Sequence, residues 1–359
     1  MKQILVTGGA GFIGSNFVRH ILQNDQQVQV VNLDALTYAG SLDNLKELPG
    51  EDRHHFVEGN ICDRELIESL LNQYQIDTIV NFAAETHVDR SIVDSHPFFQ
   101  TNVIGTLTLL EAVREFWTEN ERPTTQERRF HHISTDEVYG SLLSSDSACS
   151  EATHYAPNSP YAASKASSDH LVRSYGHTYG LPFTISNCSN NYGPQQYPEK
   201  LIPLMVLNGR SGRPMPIYGD GKQIRDWLYV IDHCEAIHQI LTRGKIGETY
   251  NIGGGNQTFN LTIVETLCDL LDKLQPANSP HRQMVQFVEE RPGHDRRYAM
   301  DISKINRELG WSPRTDLAEG LRLTVEWYFA NPEWVATITS QQSYRQWMEK
   351  NYSKRVIQL

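Results

Sequence analysis

Thr135-Asp136-Glu137 places a hydroxyl and two carboxyl groups in consecutive positions. It stands between a glycine-rich turn, Thr7 to Gly14, and the pair Tyr161 and Lys165. Four residues apart on a helix, Tyr161 and Lys165 share a face. A free tyrosine, with a pKa near ~10, is a poor base at neutral pH. A neighbouring ammonium favours the phenolate and lowers that pKa. Such a pair beside a nicotinamide takes the proton of an alcohol while a hydride leaves its carbon. Alcohol oxidation alone needs no further acid or base, so the two carboxyl groups suggest that something besides a hydride moves. In isolation the tripeptide reads as a polar strand–turn junction, and Y-x-x-x-K as a surface pair. Their setting gives them weight.

The glycine turn is the first part of that setting. Gly8, Gly11 and Gly14 form G-x-x-G-x-x-G, and Gly9-Ala10-Gly11 gives a literal G-x-G-x-x-G with Gly14. Glycine lets the backbone turn tightly and approach a pyrophosphate. A helix that follows presents unpaired N–H groups to the phosphate. Asp34 falls twenty residues beyond Gly14, at the end of the next strand-like run. A carboxylate there accepts from an adenosine ribose and repels a 2′-phosphate, which favours NAD over NADP.

These groups need a scaffold, and the first half of the chain supplies its pattern. Gln3 to Val6, Val28 to Leu33, His55 to Val57, Thr78 to Ala83 and Phe130 to Ser134 read as strands. Helical patterns separate them over Phe12 to Leu22, Asp63 to Tyr74 and Pro97 to about Trp117. Ser159 and Pro160 mark the start of a further helix carrying Tyr161 and Lys165. Strands alternating with helices predict an α/β fold, a doubly wound (Rossmann) parallel sheet covered on both faces. In that fold the carboxyl ends of the strands bind ligands, and Thr135 follows one of them. Neighbouring strand residues point to opposite faces, so Asp136 and Glu137 meet one substrate only if the chain has left the strand.

After about Asn187 the pattern turns irregular, with Pro, Gly and Asn recurring in Asn190 to Pro194 and Tyr218 to Gly221. The expected division is a cofactor domain over 1–187, with returning segments near 226–253. A smaller, loop-rich C-terminal substrate domain follows over 188–330, with an extension over 331–359. Thr118 to Arg129 and Ser141 to Asn158 read as loops, the second beside the tripeptide where a lid could lie.

Composition narrows the classes. The net charge of -11 argues against a nucleic-acid partner. Five cysteines include no C-x-x-C pair, so neither a metal site nor a redox motif is indicated, and a reducing cytoplasm suits them. No run approaches ~18 apolar residues, so no membrane span is expected.

The chain resembles the nucleotide-sugar epimerase/dehydratase family of extended short-chain dehydrogenases/reductases. The matching text comprises Thr7 to Gly14, Ala83 to Ser91, Thr101 to Thr106, Ser134 to Gly140, Ser159 to Lys165, Ser189 to Pro194, Pro198 to Pro203, Arg225 to Val230 and Arg291 to Tyr298. These runs keep family order over about residues 1–325, and the last twenty or so residues carry no motif. Within the family the chain is most similar to the 4,6-dehydratases of dTDP-glucose.

The resemblance implies a bound NAD, a dTDP-glucose substrate and a homodimer pairing helices near Phe98–Phe116 and Tyr161–Tyr179. It implies that Tyr161 takes the proton of the 4-hydroxyl while Thr135 binds that oxygen. Glu137 would remove the C5 proton, and Asp136 would protonate the departing 6-hydroxyl, which requires a raised Asp136 pKa. Hydride return to C6 completes the reaction. With Gly8, Gly11 and Gly14, the implied NAD contacts are Phe12, Ile13, Asp34, Ala35, Leu36, Thr37, Asn60, Ile61, Ala83, Ala84, Thr101, Tyr161, Lys165 and Asn191. The implied nucleotide-sugar contacts are Thr86, Thr135, Asn190, Lys200, Leu201, Pro216, Tyr218, Arg225, Asn260, Arg291 and His294. Arg225 and Arg291 suit a diphosphate, because a guanidinium meets its oxygens as a fork.

Three positions depart from the family text. Asn60 replaces an aspartate that accepts from the adenine amino group, although an amide oxygen also accepts. Thr86 replaces a serine. Asn187 stands where arginine is expected. CDP-glucose or GDP-mannose dehydratases and 4-epimerases are the alternatives within the family, and Asp136-Glu137 argues against an epimerase.

Overall fold

Apolar strands buried on both faces form the centre of the protein, as the near-continuous hydrophobic runs require. A computed structural model describes residues 1–119 and 128–352. Its main sheet has seven strands in the order β10-β6-β5-β4-β1-β2-β3. They are β1 (Gln3–Thr7), β2 (Gln29–Asp34), β3 (His54–Glu58), β4 (Thr78–Asn81), β5 (Arg129–Thr135), β6 (Phe183–Cys188) and β10 (Thr249–Ile252). Every pairing in this sheet is parallel. The expected doubly wound sheet is present. Its strand order reverses between β1 and β4, where such sheets open a crevice for ligands.

Alternate residues feed the two faces. Ile4 and Val6 of β1 enter a core with α1 (Phe12–Asn24). Leu5 enters the opposite core with α2 (Arg64–Tyr74). Two short helices, α3 (Val88–Val93) and α4 (His96–Phe98), lead to α5 (Thr106–Glu119), which packs between α2 and α6 (Pro160–Tyr179). The start of α6 is the one expected. Ser159 Oγ accepts from Ala162 N at 3.1 Å, and Pro160 is the first helical residue.

The second half of the chain builds a smaller lobe. Its sheet joins β7 (Asn190–Tyr192), β9 (Ile224–Tyr229) and β11 (Gln257–Phe259), while β8 (Met215–Tyr218) pairs with β12 (Val285–Val288). Helices α7 (Leu201–Arg210) and α9 (Asn260–Leu274) pack on each other there. Helix α8 (Val230–Arg243) packs on α1, and β10 pairs with β6. Helix α10 (Ser303–Leu309) and Trp311 join the same core. Helices α11 (Leu317–Ala330), α12 (Pro332–Ser340) and α13 (Gln342–Tyr352) close the chain, in a stretch where the sequence carries no motif.

Three boundaries differ from expectation. Strand β4 stops at Asn81, because Phe82 and Ala83 turn across Gly8 at the ligand edge. The helix expected from Pro97 to Trp117 is interrupted by a π-helical stretch, Phe99–Gly105. That widened turn presents Asn102, whose side chain bonds Glu85 N (2.9 Å), Glu85 O (3.0 Å) and Ser164 Oγ (2.8 Å). These long-range bonds leave no trace in helical periodicity. Residues 141–158 run without helix or strand, but they are pinned. Leu142 N and Cys149 N donate to Arg297 O and Ala299 O. Residues 120–127 of the other expected loop lie outside the described residues. All five cysteines are free, and four are buried.

Trp311, 1% exposed, ties the chain beyond residue 300 to the main core. Trp311→Ala is expected to lower the unfolding free energy by about 3–5 kcal/mol in denaturant titration. A loss below about 1 kcal/mol would mean that this segment is only an accessory to the sheet.

Candidate active site

The glycine turn lies at the crevice between β1 and β4. Gly8 has φ +71°, and a Cβ there would stand 2.7 Å from Ala83 N. A Cβ on Gly14 would overlap Gly8 O. Side chains are therefore excluded, and the N-terminus of α1 comes up to open space. Gly11 caps α1 without any side-chain hydrogen bond, so backbone N–H groups are left for an anion. Asp34 accepts from Ala10 N and Leu36 N, both at 2.8 Å. Burial raises its pKa, and these backbone bonds oppose the rise. Leu36 takes a left-handed φ of +47° as the chain turns away.

A cavity of about 300 Å³ joins this turn to the tripeptide. Of the expected cofactor residues, Gly8, Gly11, Phe12, Ile13, Gly14, Asp34, Ala35, Thr37, Asn60, Ile61, Ala83, Ala84, Thr101, Tyr161, Lys165 and Asn191 line it. Leu36 does not, and contributes its backbone N–H to Asp34 instead. The Asn60 amide oxygen already accepts from Cys62 N at 2.9 Å. The glycine cradle and the Asp34 carboxylate fit a dinucleotide.

Strand β5 ends at Thr135, and Asp136–Tyr139 form a 3₁₀ turn, so the two carboxyl groups have left the strand. Thr135 Oγ1 accepts from Glu137 N at 3.3 Å and caps that turn. Thr135, Asp136 and Glu137 all line the cavity with Tyr161 and Lys165. Asp136 is 3% exposed, and its Oδ2 has no hydrogen-bond partner among the described residues. Burial, then Glu137, pushes the Asp136 pKa well up. Glu137 is also raised by burial, but Arg291, Arg225 and Lys200 pull it back.

Tyr161 departs from the expectation of a lowered pKa. Burial, then Glu137, raises it well above its usual value. Lys165 Nζ turns to β5, where it donates to Ile133 O at 2.7 Å, and burial brings its pKa down to about 8.

The expected nucleotide-sugar residues divide into two groups. Thr86, Asn190 and Lys200 line the cavity, and Lys200 Nζ donates to Thr86 O at 3.1 Å. Leu201, Pro216, Tyr218, Arg225, Asn260, Arg291 and His294 lie outside its walls in the ligand-free chain. Most of their polar groups have protein partners. Arg291 and Tyr218 each donate to the Asp89 carboxylate at 2.8 Å. Burial raises the Asp89 pKa, but Arg291, His87 and Tyr218 together outweigh it and hold the group well below the usual range. Arg225 donates to Ile224 O and Asp295 O, both at 2.8 Å. His294 Nδ1 lies 2.6 Å from Glu290 Oε1.

Sequence reasoning assigned no role to several cavity residues, including Tyr38, Glu85, Cys188, Gln196, Tyr197 and Glu199. Asp89, Arg90 and Glu199 fell inside matched text but carried no chemistry there. Arg90 pairs with Glu199 at 2.9 Å and lies 3.9 Å and 4.3 Å from the Tyr38 and Trp347 ring centroids.

The raised Asp136 pKa predicts a pH signature. Between its usual 3.8 and its raised value, the unfolded chain releases a proton that the folded chain keeps, so this group's stability contribution falls as pH rises. Asp136→Asn removes that dependence. Its thermal midpoint, relative to that of the unaltered protein, should rise steadily with pH. A difference that stays constant across pH would mean that Asp136 titrates normally.

Comparison with known proteins agrees with this geometry. The family described as GDP-mannose 4,6 dehydratase matches residues 5–324. The chain is 53% identical to the dTDP-glucose 4,6-dehydratase of Salmonella typhimurium, covering 98% of this chain and 99% of the relative. Identity is 52% to the Neisseria meningitidis enzyme of that name, covering 96% and 98%. Among solved structures, the Streptomyces venezuelae dTDP-glucose 4,6-dehydratase with NAD bound superposes with a TM-score of 0.85 at 45% identity, covering 94% of this chain and 99% of that one. A Thermotoga maritima UDP-glucose 4-epimerase follows with a TM-score of 0.81 at 29% identity, covering 92% and 99%. The chain belongs to the extended short-chain dehydrogenase/reductase family of nucleotide-sugar 4,6-dehydratases.

Proposed function

We propose that this chain is an NAD-dependent hydro-lyase that converts dTDP-glucose to dTDP-4-keto-6-deoxyglucose and water. The observation that carries the reading is a buried acid–base pair, Asp136 and Glu137, sharing one cavity with Tyr161 and the glycine cradle. Bound NAD would supply a hydride acceptor at C4 and a hydride donor for C6. Tyr161 takes the proton of the 4-hydroxyl, with Thr135 holding that oxygen and Lys165 the cofactor ribose. The ketone acidifies the C5 proton, and Glu137 removes it. Asp136 gives its proton to the departing 6-hydroxyl, because hydroxide leaves poorly without an acid. Glu137 then returns a proton to C5. The surroundings divide these tasks. Asp136 is held neutral by burial and by Glu137, while Arg291, Arg225 and Lys200 favour the ionised form of Glu137.

In this reading residues 1–187, with returning segments near 226–253, hold the cofactor, and 188–330 mainly hold the nucleotide-sugar. Within the extension over 331–359, helices α12 and α13 brace that side. Exposed Phe99, Ile104 and Tyr179, on the helical segments expected to pair, support a homodimer. Five free cysteines suit the cytoplasm. Among the described residues no helix is long and apolar enough to cross a membrane.

Mass spectrometry of products from dTDP-, UDP- and CDP-glucose and GDP-mannose tests the reading. Loss of one water from dTDP-glucose is expected. An isomer of unchanged mass would instead point to a 4-epimerase, and water loss from another sugar nucleotide alone would move the substrate. Asp136→Asn with Glu137→Gln should still reduce bound NAD in the presence of dTDP-glucose. Its water release should fall at least about 100-fold, the scale of one positioned acid or base.

A further inference from the structure

Behind Lys165 the core holds ionisable groups that the reaction above does not use. Asp169 and His132 are 0% exposed, and Lys165 is 3% exposed. Asp169 lies one helical turn beyond Lys165 on α6. Its Oδ2 accepts from Ser134 Oγ at 2.7 Å and Tyr155 Oη at 2.9 Å. Its Oδ1 accepts no full hydrogen bond, and the nearby His132 Nε2 is 3.4 Å away.

The neighbouring bonds fix the state of His132. Thr7 Oγ1 accepts from Ala83 N at 3.3 Å, so its proton goes to Asn81 Oδ1 at 2.6 Å. Asn81 Nδ2 then faces His132 Nδ1 at 3.2 Å. Nδ1 is therefore the acceptor, and Nε2 carries the hydrogen toward Ser168 Oγ at 3.1 Å and Asp169. Burial, then Lys165, brings the His132 pKa down to about 4, so the ring is neutral. Cys188, also beside Lys165, is pushed up to about 12 and carries no charge. Arg173 reaches only the far side of Tyr155 Oη, at 3.2 Å. Lys165 Nζ lies 3.3 Å from His132 Nε2 and is the buried cation that faces Asp169.

We propose that Asp169 is a positioning residue for the reaction. Its carboxylate, clamped by Ser134 and Tyr155, is the fixed buried anion that, from the other side of the His132 ring edge, keeps the Lys165 ammonium charged. The inference rests on the hydro-lyase reading. A buried ammonium without a counter-charge gives up its proton instead of remaining ionised. A neutral Lys165 no longer favours the phenolate of Tyr161, which Glu137 already disfavours. Asp169 thus acts on Tyr161 through Lys165.

Asp169→Asn keeps the shape and removes the charge. The readout is the pH dependence of cofactor reduction in the NAD-loaded enzyme mixed with dTDP-glucose, followed by absorbance. Removing the anion lowers the Lys165 pKa, so the alkaline limb should move toward neutrality by about one pH unit or more. The dTDP-glucose KM should change less than twofold. Tyr155→Phe, which removes one clamp and keeps the charge, should move the limb the same way by less. A folded Asp169→Asn variant with an unmoved limb would overturn the proposal. If that variant does not fold, an unmoved limb in Tyr155→Phe would do so. An unaltered enzyme that dehydrates no sugar nucleotide would instead defeat the functional reading, before any variant is compared.

Discussion

Asp136 and Glu137 are withdrawn from water side by side, and an ionised Glu137 disfavours the charge on Asp136. Much of the site depends on sustaining that arrangement. Had β5 run two residues further, the carboxyl groups would point to opposite faces of the sheet. Ending the strand at Thr135 and continuing into a 3₁₀ turn lets both line one cavity. The smaller lobe breaks the symmetry between them. Arg291, Arg225 and Lys200 come from three separate stretches of the second half, and all three oppose the rise in Glu137. One lobe thus places the carboxyl pair, and the other decides which member ionises more readily.

The same cations must be stable without substrate. A buried charge that loses its partner is strongly destabilising. Arg291 is paired with Asp89, and Arg225 is bonded to two backbone carbonyls. Helix α13 completes this parking site. Asn351 Nδ2 lies 3.2 Å from Tyr218 Oη and 3.4 Å from Asp89 Oδ2, and Trp347 covers Arg90. Both guanidinium groups are therefore held by partners within the protein itself. This accounts for Arg225 and Arg291 lying outside the cavity walls while still acting on Glu137.

What the sequence disclosed follows from the range of the interactions involved. The glycine turn, the strands from β1 to β5 and the Ser159 cap are specified by residues within a few positions of one another. All were legible from type and spacing. The exit of the chain from β5 was legible as a condition: two adjacent carboxyl groups could share a substrate only off the strand. The π-helical stretch around Asn102 was not, because its bonds run to Glu85 and Ser164. Nor was the direction of Lys165, whose ammonium is taken by Ile133 O. Helices α12 and α13 carried no motif because their role is in packing. Trp334 Nε1 reaches Asn44 Oδ1 at 2.7 Å, across 290 positions of chain.

Asn187 brings these arguments together. It pairs with Ser134 across β6 and β5, so its side chain lies beside the group that clamps Asp169. An arginine there would place a guanidinium next to that clamp. Asn187 instead donates to Tyr155 Oη at 3.1 Å, and Arg173 reaches the same oxygen from α6 at 3.2 Å. The phenol can accept both and still donate its own proton to Asp169. Arg173 thus reaches the outer side of the phenol from the helix, while Lys165 is the cation that acts on Asp169. The cost falls on Asn187 Oδ1, which is buried without a partner among the described residues. Thr135, Asp136, Glu137, Tyr161 and Lys165 still line one cavity, and Asn187, whose bonds run behind them to Tyr155, is not among its walls.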